Sequence, residues 1–365
     1  MGEKTEEIKY YTLDKILKEN ADYNVIIGER SNGKTTSVLG YGLKQYCEKG
    51  YQLGIIRRYE EDFRGKNGAS IMDNIVKLGW VQKYSKGKWD SIVYYSQRWY
   101  LAIKNEKGEI IKDEKPFAIA FSLSAEQHIK STAYPDIKNI LFDEFISRDI
   151  YLTGEFLLFT SVLSTIIRLR DDVKIFMCGN TINKYCPYFS EMGLSHVKNQ
   201  KRGTIDLYQY GESGLRVAVE FSDFPTKNKK SNKYFAFDNP KLKMITEGAW
   251  EIDIYPHLPL KYIKSNILYQ YYIKFDNELL QCEIIRVKEC IFTYIHRKTT
   301  PIKEDDKGYI YQEEYDPRPN YKRKLNKPIT PLEKKIATFF VKDKVFYQDN
   351  EVGEIVRNYL EWCKQ

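Results

Sequence analysis

The stretch Gly28-Glu29-Arg30-Ser31-Asn32-Gly33-Lys34-Thr35 sets two glycines, a lysine and a threonine at the spacing of a phosphate-binding loop, G-x-x-x-x-G-K-[ST]. The chemistry follows from the residue types. A glycine-containing turn can aim its backbone N–H groups inward, and the N-terminus of a helix behind it adds partial positive charge. Lys34 would bring a point charge to the β- and γ-phosphates, and the Thr35 hydroxyl a ligand for Mg²⁺. Glu29, Arg30, Ser31, Asn32 and Thr36 complete the expected cradle, which runs from Gly28 to Thr36. A flexible turn could share this composition. The context weighs against that: the apolar run Tyr23-Asn24-Val25-Ile26-Ile27 precedes the loop, and a helix-compatible segment follows to about Gly50.

A second constellation gives the loop a partner. Ile140-Leu141-Phe142-Asp143-Glu144-Phe145 reads as a buried strand closing on two carboxylates. In Mg-nucleotide hydrolysis one acid holds the metal and another activates the attacking water. The carboxyl edge of an open α/β sheet is where ligands bind. Asp143 is therefore assigned to Mg²⁺ and Glu144 to the water; two solvated acids at a strand end are the plainer alternative. Asn180, past the apolar run Val173–Cys178, could read the γ-phosphate or position the water, although Gly179-Asn180-Thr181 is also an ordinary turn sequence. Arg30, Arg148, Arg168 and Arg170 are candidates for a guanidinium that stabilises charge developing on the γ-phosphate. Arg30 would act in its own subunit or a neighbour's, the other three across a subunit interface. Taken singly, each reads as a surface or structural arginine.

The elements that must position these residues are legible as alternating strands and helices. Tyr23–Ile27, Leu53–Arg58, Pro116–Ser122, Ile140–Phe145 and Val173–Cys178 are expected strands. Helical faces recur around Val38–Cys47, Ile71–Leu78 and Phe156–Ile167. Such alternation implies an α/β fold with a mainly parallel sheet and right-handed crossovers. Residues 80–115 read as a β-meander insertion. Boundaries are expected at 1–200 for the nucleotide domain, 201–233 for a hairpin and basic linker, and 234–365 for a smaller α+β domain. That last domain should hold a meander around Asp276-Asn277 and two terminal helices.

Composition narrows the class. The chain has 365 residues, 58 Lys plus Arg against 50 acidic residues, and a formal charge of +8. This mild excess suits a polyanion partner without demanding one. Its 30 Tyr and 18 Phe match AT-rich coding as well as a stacking role. The six cysteines and four histidines form neither C-x-x-C pairs nor metal-finger spacing. No apolar run approaches the ~20 residues of a membrane span. A soluble, intracellular protein with no membrane partner is expected. Arg64 and Lys66, in the polar stretch Tyr59–Ser70, and the run Arg318, Lys322, Arg323, Lys324 and Lys327 are candidate nucleic-acid contacts; Lys227–Lys233 is read mainly as linker.

The loop with its internal arginine, the Asp143-Glu144 strand and Phe176-Met177-Cys178-Gly179-Asn180-Thr181 resemble the viral genome-packaging ATPases. The DNA encapsidation ATPases of small, short-tailed Picovirinae-type bacteriophages are most similar, with large terminases as wider kin. The resemblance covers roughly residues 20–185. It implies a P-loop NTPase core of the additional-strand, conserved-glutamate type, and a C-terminal RNase H-like domain. Function implied is an ATP- and Mg²⁺-dependent motor: a homomeric ring, a pentamer by analogy, that drives double-stranded DNA through the portal of a preformed capsid. A structural packaging RNA is a further implied partner. Localisation implied is the host cytoplasm, docked transiently on the procapsid and absent from the mature virion. The C-terminal carboxylates Asp253, Asp276, Glu278, Glu283 and Glu289 do not read as a converging two-metal set, so nuclease activity is not expected. A helicase-like or other nucleic-acid remodelling ATPase without a capsid role, and a non-catalytic nucleic-acid-binding assembly protein, are the alternatives.

Overall fold

A computed structural model describes residues 11–128, 132–148, 151–223, 250 and 253–364. The chain divides into two compact units, Met1–Trp250 and Glu251–Gln365.

The first unit is built on a ten-stranded sheet. In chain order its strands are β1 (Tyr23–Gly28), β2 (Gln52–Arg57), β3 (Ser91–Tyr95), β4 (Arg98–Lys104) and β5 (Ile110–Lys112), then β6 (Ala118–Ser122), β7 (Ile137–Asp143), β8 (Lys174–Asn180), β9 (Ile205–Tyr210) and β10 (Leu215–Phe221). Across the sheet they run β3-β4-β6-β2-β7-β8-β1-β10-β9, with β5 on β4. The six strands from β6 to β10 are parallel; β4 and β9 flank them antiparallel. Because β8 lies between β1 and β7, the expected additional strand separates the loop strand from the carboxylate strand.

Both faces of the sheet's central strands β1, β2, β6, β7 and β8 are buried, which explains why these strands read as nearly unbroken apolar runs. Val25 and Ile27 of β1, Phe142 of β7 and Met177 of β8 pack on one face with Phe159, Val162 and Leu163 of the helix Glu155–Ile167. Ile26, Leu141, Phe176 and Cys178 point the other way, onto Val38, Leu39 and Leu43 of the helix Lys34–Lys49. That second helix ends where Gly50 takes a left-handed φ of 73° and its N–H bonds Tyr46 O, a conformation that costs glycine nothing sterically.

Two expectations change here. The hairpin placed in a linker is β9 and β10, and β10 pairs with β1 in parallel register from Tyr23↔Val217 to Ile27↔Phe221. It belongs to the central sheet, because Val217, Ala218 and Val219 are needed to cover β1's open edge. The first compact unit therefore extends to Trp250 rather than 200. The carboxylate strand also stops two residues earlier than expected, at Asp143. Lys227–Lys233 lies outside the described residues.

In the second unit β11 (Ile267–Phe275), β12 (Glu278–Val287) and β13 (Cys290–Arg297) form the expected antiparallel meander. Asp276 and Asn277 both take positive φ, 52° and 63°, at the tight turn between the first two strands. The short strands β14 (Ile310–Gln312), β15 (Tyr321–Lys322) and β16 (Val345–Tyr347) extend the sheet with parallel pairings, in the order β15-β14-β11-β12-β13-β16. Helices Pro331–Val341 and Asn350–Lys364 complete an α+β arrangement; the first opens on a capping box of Thr330 and Glu333.

Candidate active site

At the carboxyl ends of β1, β7 and β8 a cavity of about 590 Å³ opens. Its walls include Arg30, Ser31, Asn32, Gly33, Lys34, Thr35, Thr36, Asp143, Glu144, Arg148 and Asn180. Sheet register explains the convergence. Gly28 pairs with Asn180, and Asp143 pairs with Cys178, so three strands deliver their last residues to one edge.

The loop takes its shape from two left-handed residues, Ser31 (φ 59°) and Gly33 (φ 94°), the latter capping the helix that starts at Lys34. A side chain at Gly28 would press Ser222 Cβ at 3.1 Å and Asn32 Nδ2 at 3.2 Å. Lys34 is buried, and its Nζ donates to Glu29 O (2.6 Å), Asn32 Oδ1 (3.1 Å), Gly28 O (3.2 Å) and Asn180 Oδ1 (3.2 Å). Burial pushes its pKa down to about 8, with Asp143 and Glu29 working in the opposite sense. Asn180 thus meets Lys34 directly, and Asn32 Nδ2 is buried with no hydrogen-bond partner among the described residues. An unpaired donor inside a phosphate-type loop suits an acceptor-rich ligand. Glu29 turns away: its carboxylate pairs with Arg202.

Thr35 Oγ1 donates to Asp143 Oδ1 at 2.6 Å. A hydroxyl and a carboxylate side by side are hard oxygen donors, the set Mg²⁺ takes while keeping several waters. The residues present therefore fit that ion. Glu144 is exposed and left-handed (φ 57°), which directs its side chain differently from its neighbour's. A non-glycine residue held there costs on the order of 1 kcal/mol, a cost that tends to persist at functional positions. Asp143 faces the loop while Glu144 lines the open cavity.

Sequence reasoning missed a tandem that braces this edge. Arg57, ending β2, donates from Nη2 to Asp143 Oδ2 at 2.6 Å. Burial opposes its charge, and Asp143 more than offsets that, so its pKa rises. Arg58 forms a buried pair with Glu155 (2.7 and 2.8 Å) and donates to Phe145 O at 3.0 Å. Tyr188 OH donates to the same carboxylate at 2.9 Å. Two arginines ending an apolar strand were the available signal.

The remaining candidates separate. Arg30 and Arg148 line the cavity. Arg170 does not: it donates to the carbonyls of Tyr134, Pro135, Ile137, Ile166 and Ile167, stapling the amino-terminal end of β7, and Arg168 donates to Thr132 O. Arg170's fork is consumed by backbone, which fits a structural arginine and not a finger. Tyr11, a conceivable adenine platform beside Tyr10, is core: its hydroxyl donates to Glu220 at 2.6 Å. Tyr10 lies outside the described residues.

Among the nucleic-acid candidates, Arg64 is exposed beside Glu60 and Glu61 (3.8 and 3.5 Å), and Lys66 starts the helix Lys66–Ser70. Arg318 pairs with Asp316 and Lys322 with Glu333, each neutralised locally. Arg323 and Lys324 lie over the Trp362 ring, 5.4 and 5.7 Å from its centre. Of the carboxylates weighed for a nuclease, Glu283 is surrounded by donors from Tyr262, Gln270 and Gln281, and Glu278 pairs with Arg297.

Residues 94–234 match the family described as podovirus DNA encapsidation protein (Gp16). The DNA packaging protein of Bacillus phage phi29 is 26% identical over 200 residues, 54% of each chain. That of Bacillus phage B103 is 26% identical over 209 residues, 56% of this chain and 58% of the relative. The match thus spans little more than half the length of these curated relatives. Two solved structures share the fold over nearly the whole chain. The Phi-28 gp11 DNA packaging motor aligns with a TM-score of 0.54 at 18% identity, covering 98% of this chain and 99% of that one. The bacteriophage Phi-29 viral genome packaging motor assembly gives 0.55 at 20% identity, covering 96% of each. The resemblance to viral packaging proteins read from the sequence is borne out.

Proposed function

We propose that the chain is an ATP-driven motor that translocates double-stranded viral DNA into a preformed capsid. The observation that carries this is the convergence of Lys34, Thr35, Asp143, Glu144 and Asn180 on one cavity. A phosphate cradle alone would make a binding protein; an exposed carboxylate at its mouth makes a hydrolysis site. Lys34 and the loop N–H groups hold the phosphates, and Thr35 and Asp143 are the residues that would hold Mg²⁺. When bound, that ion would supply positive charge against the developing phosphate charge. Glu144 takes the proton of the attacking water, and Asn180 orients the γ-phosphate through the position it shares with Lys34. Arg30 and Arg148 are the cavity's candidates for the guanidinium that meets developing charge; either could serve its own subunit or the next.

The family match and the two packaging-motor folds support the coupling to DNA. The reading extends to a homomeric ring, a pentamer by analogy, that would dock on the portal in the host cytoplasm and be absent from the mature virion. A packaging RNA belongs to this reading as a further partner, with the Arg323, Lys324 and Trp362 cluster as a surface suited to a phosphate backbone and bases. DNA-stimulated ATP hydrolysis by the purified full chain tests the proposal. Stimulation by duplex DNA of any sequence is expected; hydrolysis indifferent to DNA, or strand separation, would point elsewhere.

A further inference from the structure

The Arg57–Asp143 pair sits where the motor reading puts a metal, and the inference drawn from it rests on that reading. Register sets it up: Ile56 of β2 lies beside Phe142 of β7, so the next residue of each strand meets at the sheet's carboxyl edge. Both oxygens of the Asp143 carboxylate are engaged, Oδ1 by Thr35 and Oδ2 by Arg57, each at 2.6 Å. The carboxylate is deeply buried while the guanidinium keeps 22% of its side-chain surface exposed. The guanidinium is also poorly served where it is. Its Nε–H is buried and has no hydrogen-bond partner among the described residues. A guanidinium seated for structure alone generally uses its fork, as Arg58 does on Glu155 with two bonds and Arg170 on five carbonyls.

We propose that Arg57 is the charge placeholder of the metal site, holding Asp143 in the metal-free protein and giving the carboxylate up when the divalent ion arrives with nucleotide. A buried carboxylate with a single hydroxyl donor is stabilised by a positive partner. Two cations on one carboxylate in a low-dielectric edge repel strongly, so Arg57 and a divalent ion exclude one another there. Arg57 leaves with the loss of a single charged hydrogen bond and with an exposed side to move into. Free metal alone gains too little to displace it. Metal carried by a polyphosphate brings its own negative charge and contacts to Lys34 and the loop. Arg57 is thus a specificity-determining residue that makes the site refuse bare divalent ions and admit the metal–nucleotide complex.

The experiment titrates Mn²⁺ into the full chain without nucleotide, read by electron paramagnetic resonance, in the wild type, Arg57→Gln and Arg57→Lys. Arg57→Gln is expected to bind Mn²⁺ at least tenfold more tightly than wild type, and Arg57→Lys to stay within about threefold of it. Equal affinities in wild type and Arg57→Gln, or an equal gain in both variants, would overturn the proposal. Should Arg57→Gln fail to fold, the wild type decides alone: the ¹⁵N side-chain signal of Arg57 should shift on adding Mg-ADP and not on adding Mg²⁺, and a signal unmoved by Mg-ADP sinks the idea. A fluorescent ATP analogue with Mg²⁺ separates the two levels of inference. No nucleotide binding by the wild type defeats the motor reading, whereas binding with unaltered Mn²⁺ affinities defeats only the placeholder.

Discussion

Two carboxylates, one in each unit, are equally buried at 4% exposure and differ in everything around them. Asp143 is held by one hydroxyl and one cation, at the wall of an open cavity. Glu283 accepts from Tyr262 (2.7 Å), Gln270 (3.0 Å) and Gln281 (2.7 Å), with His296 Nε2 at 3.6 Å. Burial pushes the Glu283 pKa up, but this ring of donors more than reverses it, to about 2. The lesson is that a buried acid becomes a site when its partners are exchangeable and a route leads to it. Ringed by hydroxyl and amide donors with His296 beside them, the other is a packing device.

Substitution should separate the pair most sharply. Asp143→Asn leaves the Arg57 charge without a counter-ion, so unfolding free energy should fall by about 3 kcal/mol, the low end for a broken buried pair because Arg57 is partly exposed. Metal-dependent hydrolysis should disappear with it. Glu283→Gln should cost about 1–3 kcal/mol through weakened charge-assisted bonds and leave hydrolysis intact. Denaturant melts and steady-state rates on both variants check this; hydrolysis lost in Glu283→Gln would break the distinction.

Acid should distinguish them next. Glu283 titrates at about 2 in the folded protein against 4.5 for its ordinary value, so the stability it confers is complete above pH 4.5 and is lost as pH falls toward 2. His296 opposes this at the other end. Burial works against its charge, yet the Glu283 carboxylate 3.6 Å away raises its pKa above 6.5, so its contribution is complete below that pH and is lost as pH rises through the folded value. Glu283→Gln should flatten both limbs of the stability profile for the second unit.

The smallest effect belongs to Lys34. With its pKa near 8 before nucleotide binds, polyphosphate must restore a proton at higher pH. Affinity for an ATP analogue should therefore fall above pH 8, by up to about tenfold per pH unit. A flat profile from pH 7 to 9.5 would show that Lys34 stays charged when empty.

What was legible beforehand follows from range. The phosphate loop, the Asp143-Glu144 strand and the helix Lys34–Lys49 announce themselves because backbone conformation and burial on both faces constrain neighbouring residues. Pairings that close over long separations do not: Arg57 with Asp143 and Arg58 with Glu155 depend on which strands lie side by side. The hairpin of β9 and β10 has the same alternation whether it stands alone or covers β1, so its place in the sheet could not be read locally. Strands of two or three residues, β14 and β15, carry no period to detect within a polar, proline-containing stretch. Arg170 looked like a catalytic candidate because nothing in its neighbours shows that five backbone carbonyls await it. Glu144's left-handed backbone was equally silent, and it is what turns the two acids apart.

The central claim is that this cavity hydrolyses nucleotide with Glu144 as the base. Steady-state ATP hydrolysis by Glu144→Gln, with binding of a fluorescent ATP analogue measured on the same protein, tests it most directly. The expected result is a fall in kcat of roughly 10²–10⁴-fold with affinity within a few-fold of wild type. Undiminished turnover with intact binding would contradict the assignment of Glu144.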